Sequence, residues 1–325
     1  MGGTMAAAPL LIPPASAPDF LDRAGWGGAE ILPLAGDASF RRYFRVVLRG
    51  QSAVLMDAPP PHEDTRPFLA VADHLHRFGF AAPRVLARDV EAGLVLLQDF
   101  GDDRMREALD ADPSREEAIY RQAIDLIRDL HRYPAGDLPP YDMKVYQREA
   151  ALFPEWYMPA VGLDVPSGWA EAWAEALAPI AHDHSTTVLR DYHAENIMLL
   201  RDGSLGLLDF QDALAGHPVY DLVSLLQDAR RDVSPELEAR MLRYYGRVDD
   251  AAYALLGAQR NTKILGIFTR LWKRDGKPRY LSFQPRMWGY MDRDLAHPAL
   301  APVKAWFDAH VPVEKRAAYW AEPRA

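Results

Sequence analysis

The sequence predicts an α+β protein with a small, strand-rich N-terminal lobe and a larger, mostly helical C-terminal lobe. The chain has 325 residues, which exceeds a typical domain of roughly 100–200 residues and favours two lobes that share a cleft. Strand patterns dominate residues 31–100, and helical patterns dominate the chain after residue 100. We predict a flexible N-terminal arm over 1–18, a small strand-rich lobe over 19–100 and a helical lobe over 101–325.

The N-terminal lobe is predicted to have the element order β-β-α-β-β. The stretch "SFRRYFRVVL" alternates bulky apolar and basic residues, and the apolar run "SAVLMDA" follows it after a turn at Gly50, so the two predict a β-hairpin. Apolar residues at helical spacing then predict a helix that ends at Gly79. The stretch "PRVLARDVEAGLVLLQDFG" predicts two further strands joined by a Glu-Ala-Gly turn.

The C-terminal lobe opens with a clear helix start, because Asp112 can serve as N-cap and Pro113 occupies the first helical position. The Trp-rich stretch "VPSGWAEAWAEALAPIAHDH" predicts a second helix, and residues 220–247 and 252–274 predict two or three more. Within this lobe, residues 186–210 interrupt the helices with two short apolar stretches.

Composition excludes several classes of function. A net charge of −9 disfavours nonspecific binding to nucleic acid or to an anionic membrane. The absence of cysteine excludes disulfides, thiolate metal sites and cysteine nucleophiles. The sequence contains no run of about 18 apolar residues, so no membrane span is expected. The N-terminus lacks the positive segment of a signal peptide. We therefore expect a cytoplasmic protein, and we expect it to be a monomer.

Three oxygen-bearing side chains, Asp191, Asn196 and Asp209, follow the spacing Asp-x4-Asn and then Asp after 13 positions. A loop, a turn and a strand of that length would bring the three together. Mg²⁺ prefers oxygen ligands and usually takes one or two from protein, and phosphoryl transfer needs a further carboxylate for the hydroxyl proton. The pattern therefore favours phosphoryl transfer. The alternative is a polar loop in which Asp209 caps a helix.

Asp-x4-Asn followed by Asp-Phe resembles the catalytic-loop and metal-loop signatures of the protein-kinase-like fold. "LRDYHAEN", "LLDFQDALAGHPVYDLVSLLQDARRDV" and "GDASFRRYFRV" are similar to the aminoglycoside-phosphotransferase family, and within it to the bacterial anomeric kinases of N-acetylmuramate and N-acetylglucosamine. Those enzymes phosphorylate the sugar C1 hydroxyl in peptidoglycan (cell-wall) recycling. The resemblance covers most of the chain and implies a two-lobed protein-kinase-like fold with a small antiparallel sheet in the N-terminal lobe.

The resemblance implies that Asp191 is the base that orients the sugar hydroxyl, and that Asn196 and Asp209 hold Mg²⁺. Only 11 residues separate Asp209 from Asp221, which leaves no room for the activation loop of a protein kinase. A small-molecule acceptor is therefore expected. Asp221 is expected to tether the catalytic loop by hydrogen bonds.

The resemblance also implies where ATP binds. The backbone of a loop with small side chains would approach the phosphates, and this loop is formed by Gly36, Asp37, Ala38, Ser39 and Phe40. The nucleotide base would bond the linker between the lobes, at Gln98, Asp99 and Phe100. An ordinary hairpin turn is the alternative for the first stretch, and GTP remains open beside ATP.

The chain departs from the family at the third strand, where the family carries a lysine that contacts phosphates. The corresponding stretch, "SAVLMDAP", has no lysine, and none occurs before Lys144. Arginine is always charged and binds phosphate well. The expected substitutes are therefore Arg42 and Arg45, with Glu63 or Asp64 as partner.

Candidates for binding the acceptor lie in and around the catalytic loop. They are His193, Glu195, Gln211, Asp212, Arg148, Trp156 and Tyr157. The alternatives are packing within the loop for the first two and a place in the core for the aromatic residues. Residues 260–286 hold eight Lys or Arg and one acid, which indicates a solvated basic helix face or a surface that attracts an anionic substrate.

We therefore expect an ATP- and Mg²⁺-dependent kinase that converts N-acetylmuramate or N-acetylglucosamine into the sugar 1-phosphate. One alternative is a kinase of another small alcohol, such as an aminoglycoside, choline or homoserine. Another is a pseudokinase that senses nucleotide, because the third-strand lysine is missing.

Overall fold

A computed structural model shows antiparallel strands in the first part of the chain and helices through most of the rest. The structure describes residues 12–34 and 40–321. It divides into unit 1, which comprises Met1–Asp103 and Leu200–Gln211, and unit 2, which comprises Arg104–Leu199 and Asp212–Ala325. The α+β class with an antiparallel sheet followed by helices is confirmed. The domain boundaries drawn from the sequence stay a prediction.

The elements follow the order expected from the sequence, with additional short helices and strands. In chain order they are α1 (Ala17–Arg23), β1 (Glu30–Pro33), β2 (Arg42–Leu48), β3 (Gln51–Asp57), α2 (Arg66–Arg77), β4 (Val85–Asp89), β5 (Leu94–Gln98), α3 (Met105–Ala111), α4 (Glu116–Leu130), α5 (Met143–Ala150), a π-helical turn (Phe153–Tyr157), α6 (Met158–Ala160), α7 (Trp169–Leu177), β6 (Thr186–Val188), β7 (Ile197–Leu199), β8 (Leu205–Leu207), β9 (Leu214–Gly216), α8 (Val219–Leu226), α9 (Pro235–Tyr245), α10 (Asp250–Lys273), α11 (Gln284–Leu295), α12 (Ala301–His310) and α13 (Ala317–Ala321).

The sheet of unit 1 has the strand order β1-β2-β3-β5-β4, and its neighbouring strands are antiparallel. The hairpin predicted around Gly50 is confirmed, because β2 pairs with β3 from Leu48 opposite Gln51 to Arg42 opposite Asp57. Gly50 has a φ of 80°, a conformation that glycine adopts without steric cost.

One buried apolar cluster of unit 1 lies between this sheet and α1. Phe44, Leu55 and Leu96 face Phe20 and Leu21 of the helix, and all five side chains are buried. Burying a large apolar side chain contributes about 1.5–3 kcal/mol. The helix begins at Ala17, two residues inside the segment that the sequence assigned to the N-terminal arm.

The long helix α10 organises unit 2. The side chain of Asp249 caps its first turn by accepting from the N–H groups of Ala251 and Ala252 at 2.9 and 3.2 Å. Buried residues run along most of its length, and they include polar residues such as Gln259, Arg260 and Lys263. At Gly266 the helix packs so close to the backbone of Leu152 that a Cβ there would lie 2.4 Å from the Leu152 carbonyl.

A small antiparallel pair in unit 2 supports the loop over 189–196, which we call the catalytic loop after its predicted role. The strand β6 pairs with β9, with Thr187 opposite Ala215, and α8 follows β9 with all eight residues buried. The loop over 189–196 leaves the end of β6, so its first residues lie beside α8. In the part of the chain that the structure describes, no helix combines the length and the apolar character needed to cross a membrane.

Replacing Gly266 with alanine is expected to destabilise the protein by about 1–3 kcal/mol, because the added methyl group overpacks the contact with Leu152. Gly289 in α11 is the matched control, since a Cβ there meets nothing within 4 Å. Gly289→Ala should leave stability unchanged or raise it by up to about 1 kcal/mol through helix propensity. Urea denaturation of both variants measures the difference, and equal midpoints would contradict the close packing at Gly266.

Candidate active site

The carboxylate of Asp221 holds the start of the catalytic loop. It accepts hydrogen bonds from the backbone N–H groups of Leu189 at 2.7 Å and Arg190 at 2.9 Å. The hydroxyl of Ser224 donates to the carbonyl oxygen of Arg190 at 3.0 Å. Arg190 has a φ of 70°, a left-handed conformation that is costly for a residue other than glycine. These hydrogen bonds compensate for the cost of the left-handed conformation. The prediction that Asp221 tethers the loop by hydrogen bonds is confirmed.

Asp191, the predicted base, is half-buried and is surrounded by cations in unit 2. Burial by itself would raise the pKa of its carboxyl group. The positive charges of Lys263 and Arg190, with a smaller contribution from Arg260, outweigh burial and lower the pKa to about 2. Asp191 is therefore a carboxylate at neutral pH and can accept a hydrogen bond from a hydroxyl group.

Asn196 is oriented by the same loop. Its backbone N–H donates to the carbonyl oxygen of His193 at 2.9 Å, and its side-chain amide donates from Nδ2 to the carbonyl oxygen of Asp191 at 3.0 Å. Because the nitrogen of the amide donates to the loop, the oxygen Oδ1 is the atom that suits a metal ion.

Behind the loop, Glu149 of α5 is the centre of a buried polar network that sequence reasoning missed. Its side chain is 5% exposed. It pairs with Arg190, accepts from the hydroxyl of Tyr141, and lies 3.3 Å from the Nζ atom of Lys263. Burial would raise the pKa of Glu149, but the charges of Lys263 and Arg190 outweigh it, so the pKa is lowered.

Two cations of α10 are buried. Arg260 is 3% exposed and Lys263 is 7% exposed. The interpretation of residues 260–286 as a solvated basic helix face is therefore wrong for these two residues. Their spacing of three positions, which places residues on one face of a helix, was a signal in the sequence. The charge pattern alone could not show that this face is covered.

His193 and Glu195 make contacts within unit 2 that hold the loop. The Nη1 atom of Arg230 lies 3.0 Å from Nε2 of His193, and since arginine can only donate, this nitrogen accepts. Burial and the nearby Arg230 lower the pKa of His193 to about 4, so the ring is neutral at pH 7. Glu195 pairs with Arg230 at 3.0 Å and with Arg106. Contact with a sugar stays a prediction for both.

The aromatic candidates are placed differently from one another. Tyr157 is fully buried, donates from its hydroxyl to the carbonyl oxygen of Lys315 at 2.6 Å, and accepts from the indoles of Trp288 and Trp320. Trp156 is half-buried, whereas Arg148 is exposed on α5. A sugar contact by these three candidates stays a prediction.

Gln211 and Asp212 lie in unit 1 and unit 2, respectively. The amide of Gln211 donates from Nε2 to Oδ1 of Asp209 at 2.9 Å, so it orients the predicted metal carboxylate. The carbonyl oxygen of Asp212 accepts from Arg190 at 3.1 Å, whereas its side chain is exposed. Their contacts with an acceptor stay predictions.

Asp209 follows strand β8 in unit 1 and has a φ of 56°. Its Oδ1 atom lies 3.7 Å from Nη2 of Arg41, whose Nε lies 3.8 Å from Oε2 of Glu63. The ring of the next residue, Phe210, stacks on Phe68 with centroids 4.9 Å apart. The next helix, α8, begins at Val219, so the alternative that Asp209 caps a helix is wrong.

The donor types at Asn196 and Asp209 fit Mg²⁺. An amide oxygen and a carboxylate are the ligands that this ion takes from protein, and one or two suffice beside phosphates and water. The carboxylate of Asp209 already has a positive charge as its neighbour, namely the guanidinium of Arg41. That the two side chains share one ion stays a prediction, since each belongs to a different unit.

Of the predicted phosphate loop, Gly36, Asp37, Ala38 and Ser39 lie outside the described residues. Phe40 is 66% exposed, and its ring stacks on His62 with centroids 5.2 Å apart. Its backbone N–H donates to Oε1 of Glu63 at 3.2 Å.

The two arginines predicted to replace lysine make close ion pairs in unit 1. Arg42 donates from Nε to Oδ2 of Asp57 at 2.8 Å, and Asp57 is the buried end of β3. Arg45 pairs with Asp99 at 2.7 Å and with Asp102 at 2.9 Å. These pairs tie strand β2 to its neighbours in the unit.

The linker residues predicted to meet the nucleotide base adjoin strand β5. The N–H of Gln98 donates to the carbonyl oxygen of Arg84 at 2.8 Å, and its side-chain oxygen accepts from Arg84 at 3.1 Å. Asp99 accepts from the N–H of Gly101 at 2.8 Å. Phe100 packs against Gly206, where a Cβ would lie 2.7 Å from its ring. Base contacts by Gln98, Asp99 and Phe100 stay predictions.

The fold and the loop define a class of protein. Residues 30–256 match the phosphotransferase enzyme family, and the chain belongs to this family. The resemblance drawn from the sequence is confirmed.

The chain is also similar to individual proteins whose names are more specific than that of the family. The chain is 39% identical to the N-acetylmuramate/N-acetylglucosamine kinase of Caulobacter vibrioides, with 91% of this chain and 96% of the relative covered. It is 38% identical to the kinase of the same name from Pseudomonas aeruginosa, with 87% and 90% covered. Its fold is similar to that of a spectinomycin phosphotransferase solved with ADP and spectinomycin, at a TM-score of 0.62 and 12% identity, with 91% of this chain and 98% of the other covered.

Replacing Glu149 with glutamine is expected to destabilise the protein by about 3–5 kcal/mol, because Arg190 and Lys263 would remain buried without their shared carboxylate. Thermal and urea unfolding measure the loss. The control is Glu117→Gln, which removes an exposed carboxylate that pairs with Arg121 and Arg240 and should change little. Equal unfolding midpoints for the two variants would show that the buried network contributes no more than a surface pair.

Proposed function

We propose that this protein is an ATP- and Mg²⁺-dependent kinase that phosphorylates the anomeric C1 hydroxyl of N-acetylmuramate, N-acetylglucosamine or both. The observation that carries the proposal is the name shared by relatives that are 38–39% identical over 87–91% of this chain. The buried cations around Asp191 support it, because they keep a carboxylate in the catalytic loop ionised.

In the proposed reaction, Asp191 accepts a hydrogen bond from the C1 hydroxyl of the sugar. This bond points the hydroxyl oxygen at the γ-phosphorus of ATP. The oxygen forms a bond to phosphorus as the bond to the ADP oxygen breaks, and the hydroxyl proton passes to the Asp191 carboxylate. A pKa of about 2 makes Asp191 a weak base, so its main contribution is orientation. An anomeric hydroxyl is more acidic than an ordinary alcohol, which suits a weak base.

Mg²⁺ bound to the phosphates would neutralise the charge that develops on them during transfer. We propose Asn196 and Asp209 as the residues that hold it. Asp191 orients Asn196 through its backbone carbonyl, and Gln211 orients Asp209. The chain thus uses neighbouring polar groups to prepare each ligand for the ion.

The nucleotide is proposed to lie against unit 1. Its phosphates would meet Gly36, Asp37, Ala38, Ser39 and Phe40, and its base would meet the backbone at Gln98, Asp99 and Phe100. The fold supports a nucleotide site, because the spectinomycin phosphotransferase of similar fold was solved with ADP. We propose ATP as the donor.

We propose that the protein works as a cytoplasmic monomer on amino sugars released in peptidoglycan recycling. Binding of the sugar is assigned to the polar and aromatic groups around the catalytic loop, with His193, Glu195, Gln211, Asp212, Arg148, Trp156 and Tyr157 as candidates. The loop-holding contacts of His193 and Glu195 support an indirect role for these two, in which they position Asp191 and Asn196.

A panel of acceptors tests the proposal. Incubation with ATP, Mg²⁺ and either amino sugar should give a ³¹P NMR signal of a sugar 1-phosphate that couples to the anomeric proton. The panel includes choline, homoserine and an aminoglycoside. Product with one of these three and with neither amino sugar, or phosphate on C6, would contradict the proposed acceptor. Absence of product with every acceptor would favour a pseudokinase.

Replacing Asp191 with alanine should lower turnover about a hundredfold or more, the range observed for loss of a proton-accepting group. Nucleotide affinity should change little, since the proposed role of Asp191 is on the acceptor. Steady-state kinetics and a nucleotide titration measure the two effects. Asp164→Asn, which alters an exposed loop carboxylate, is the control. Turnover near the wild-type value in Asp191→Ala would remove Asp191 from the mechanism.

A further inference from the structure

The cation that contacts the nucleotide phosphates from unit 1 has to be something other than lysine. Residues 1–103 and 200–211, which make up this unit, contain no lysine. The third strand, where the family carries one, ends in Met56 and Asp57, and both side chains are buried. Arginine is the remaining side chain that is charged at every physiological pH.

The two arginines expected from the sequence are held by close carboxylates. Arg42 lies 2.8 Å from Asp57, and Arg45 lies 2.7 Å from Asp99 and 2.9 Å from Asp102. At these distances each guanidinium has a hydrogen-bonded counter-charge. Moving either cation to a phosphate would leave a carboxylate behind, and in the case of Asp57 that carboxylate is 2% exposed.

Arg41 is placed differently. Its guanidinium lies between Glu63, at 3.8 Å, and Asp209, at 3.7 Å. Its guanidinium thus lies beside Asp209, the proposed Mg²⁺ ligand. The side chain is 11% exposed, so its charge acts in a region of reduced water content, where electrostatic interactions are stronger.

Glu63 connects this cation to the backbone beside it. Its Oε2 atom faces Arg41, while its Oε1 atom accepts from the N–H of Phe40 at 3.2 Å. One carboxylate therefore positions both the guanidinium and the chain that carries it. The sequence predicts Glu63 as a possible partner of Arg42 or Arg45, whereas the structure places it beside Arg41.

We infer that Arg41 is the residue of unit 1 that binds the terminal phosphates of the nucleoside triphosphate, and that Glu63 positions it. The inference rests on the proposed function, because Asp209 is there a ligand of the Mg²⁺ that the phosphates share. A phosphate that shares an ion with Asp209 comes next to Arg41. The planar guanidinium can then donate two parallel hydrogen bonds to phosphate oxygens.

Nucleotide titrations on the full-length chain with Mg²⁺ test this role. Isothermal titration calorimetry with ATP, ADP and adenosine separates a contact with phosphates from a contact with the base. Arg41→Ala should weaken ATP binding about tenfold or more, the factor for losing a hydrogen bond between charged groups. Adenosine affinity should stay unchanged, and Arg41→Lys should recover part of the loss for ATP.

Three further variants sharpen the assignment. Glu63→Gln keeps Arg41 but removes its counter-charge, so it should weaken ATP binding less than Arg41→Ala does. Arg23→Ala, which breaks an exposed pair with Asp89, is the control and should bind ATP as the wild type does. Arg42→Ala tests the competing assignment and should affect ATP affinity less than Arg41→Ala. Circular dichroism verifies that each variant is folded.

Several outcomes would overturn the inference. They are wild-type ATP affinity in Arg41→Ala, an equal loss for adenosine and ATP, or a larger loss in Arg42→Ala than in Arg41→Ala. If Arg41→Ala does not fold, ATP affinities of Arg41→Lys and Glu63→Gln equal to that of the wild type would overturn it. Wild-type protein that binds ATP but yields no sugar phosphate would instead overturn the proposed acceptor and leave the role of Arg41 supported by the titrations.

Discussion

The hydrogen bonds from Leu189 and Arg190 to the carboxylate of Asp221 are the interaction on which the candidate site depends. They hold Arg190 in a left-handed conformation that its side chain would otherwise disfavour. Because Asp221 lies on α8, whose residues are all buried, the loop that carries Asp191 is attached to a rigid part of unit 2. A catalytic group has to be held within a fraction of an ångström of its productive position, and this attachment provides the constraint.

The electrostatics of unit 2 depend on the same loop. The guanidinium of Arg190 pairs with the carboxylate of Glu149, and the same carboxylate pairs with Lys263. A buried ion pair alone is weak evidence for stability. Here the buried cations also lower the pKa of Asp191 against the effect of burial. The network therefore serves both to pack α5 against α10 and to keep a carboxylate charged where a hydroxyl can meet it.

In unit 1, three arginines at or next to strand β2 lie beside carboxylates. The pairs of Arg42 with Asp57 and of Arg45 with Asp99 are close and belong to the strands. Arg41 faces the more distant carboxylates of Glu63 and Asp209. Three arginines within five positions of the sequence thus have different surroundings. The difference arises from strand geometry, since Arg42 and Arg45 lie on β2 and Arg41 precedes it.

Local periodicity and short spacings predict the fold class, the hairpin at Gly50 and the loop with Asp191 and Asn196, and the family follows from the resemblance of the quoted motifs. Which charges are buried, and which partner each one meets, is visible only in the packed structure. Lys263 meets Glu149, Arg41 meets Asp209, and Tyr157 donates to Lys315. Each pair joins residues far apart in the chain, and a charge pattern marks a polar face without indicating what packs against it. The physical reason is that burial and pairing are properties of the packed elements, whereas spacing is a property of one.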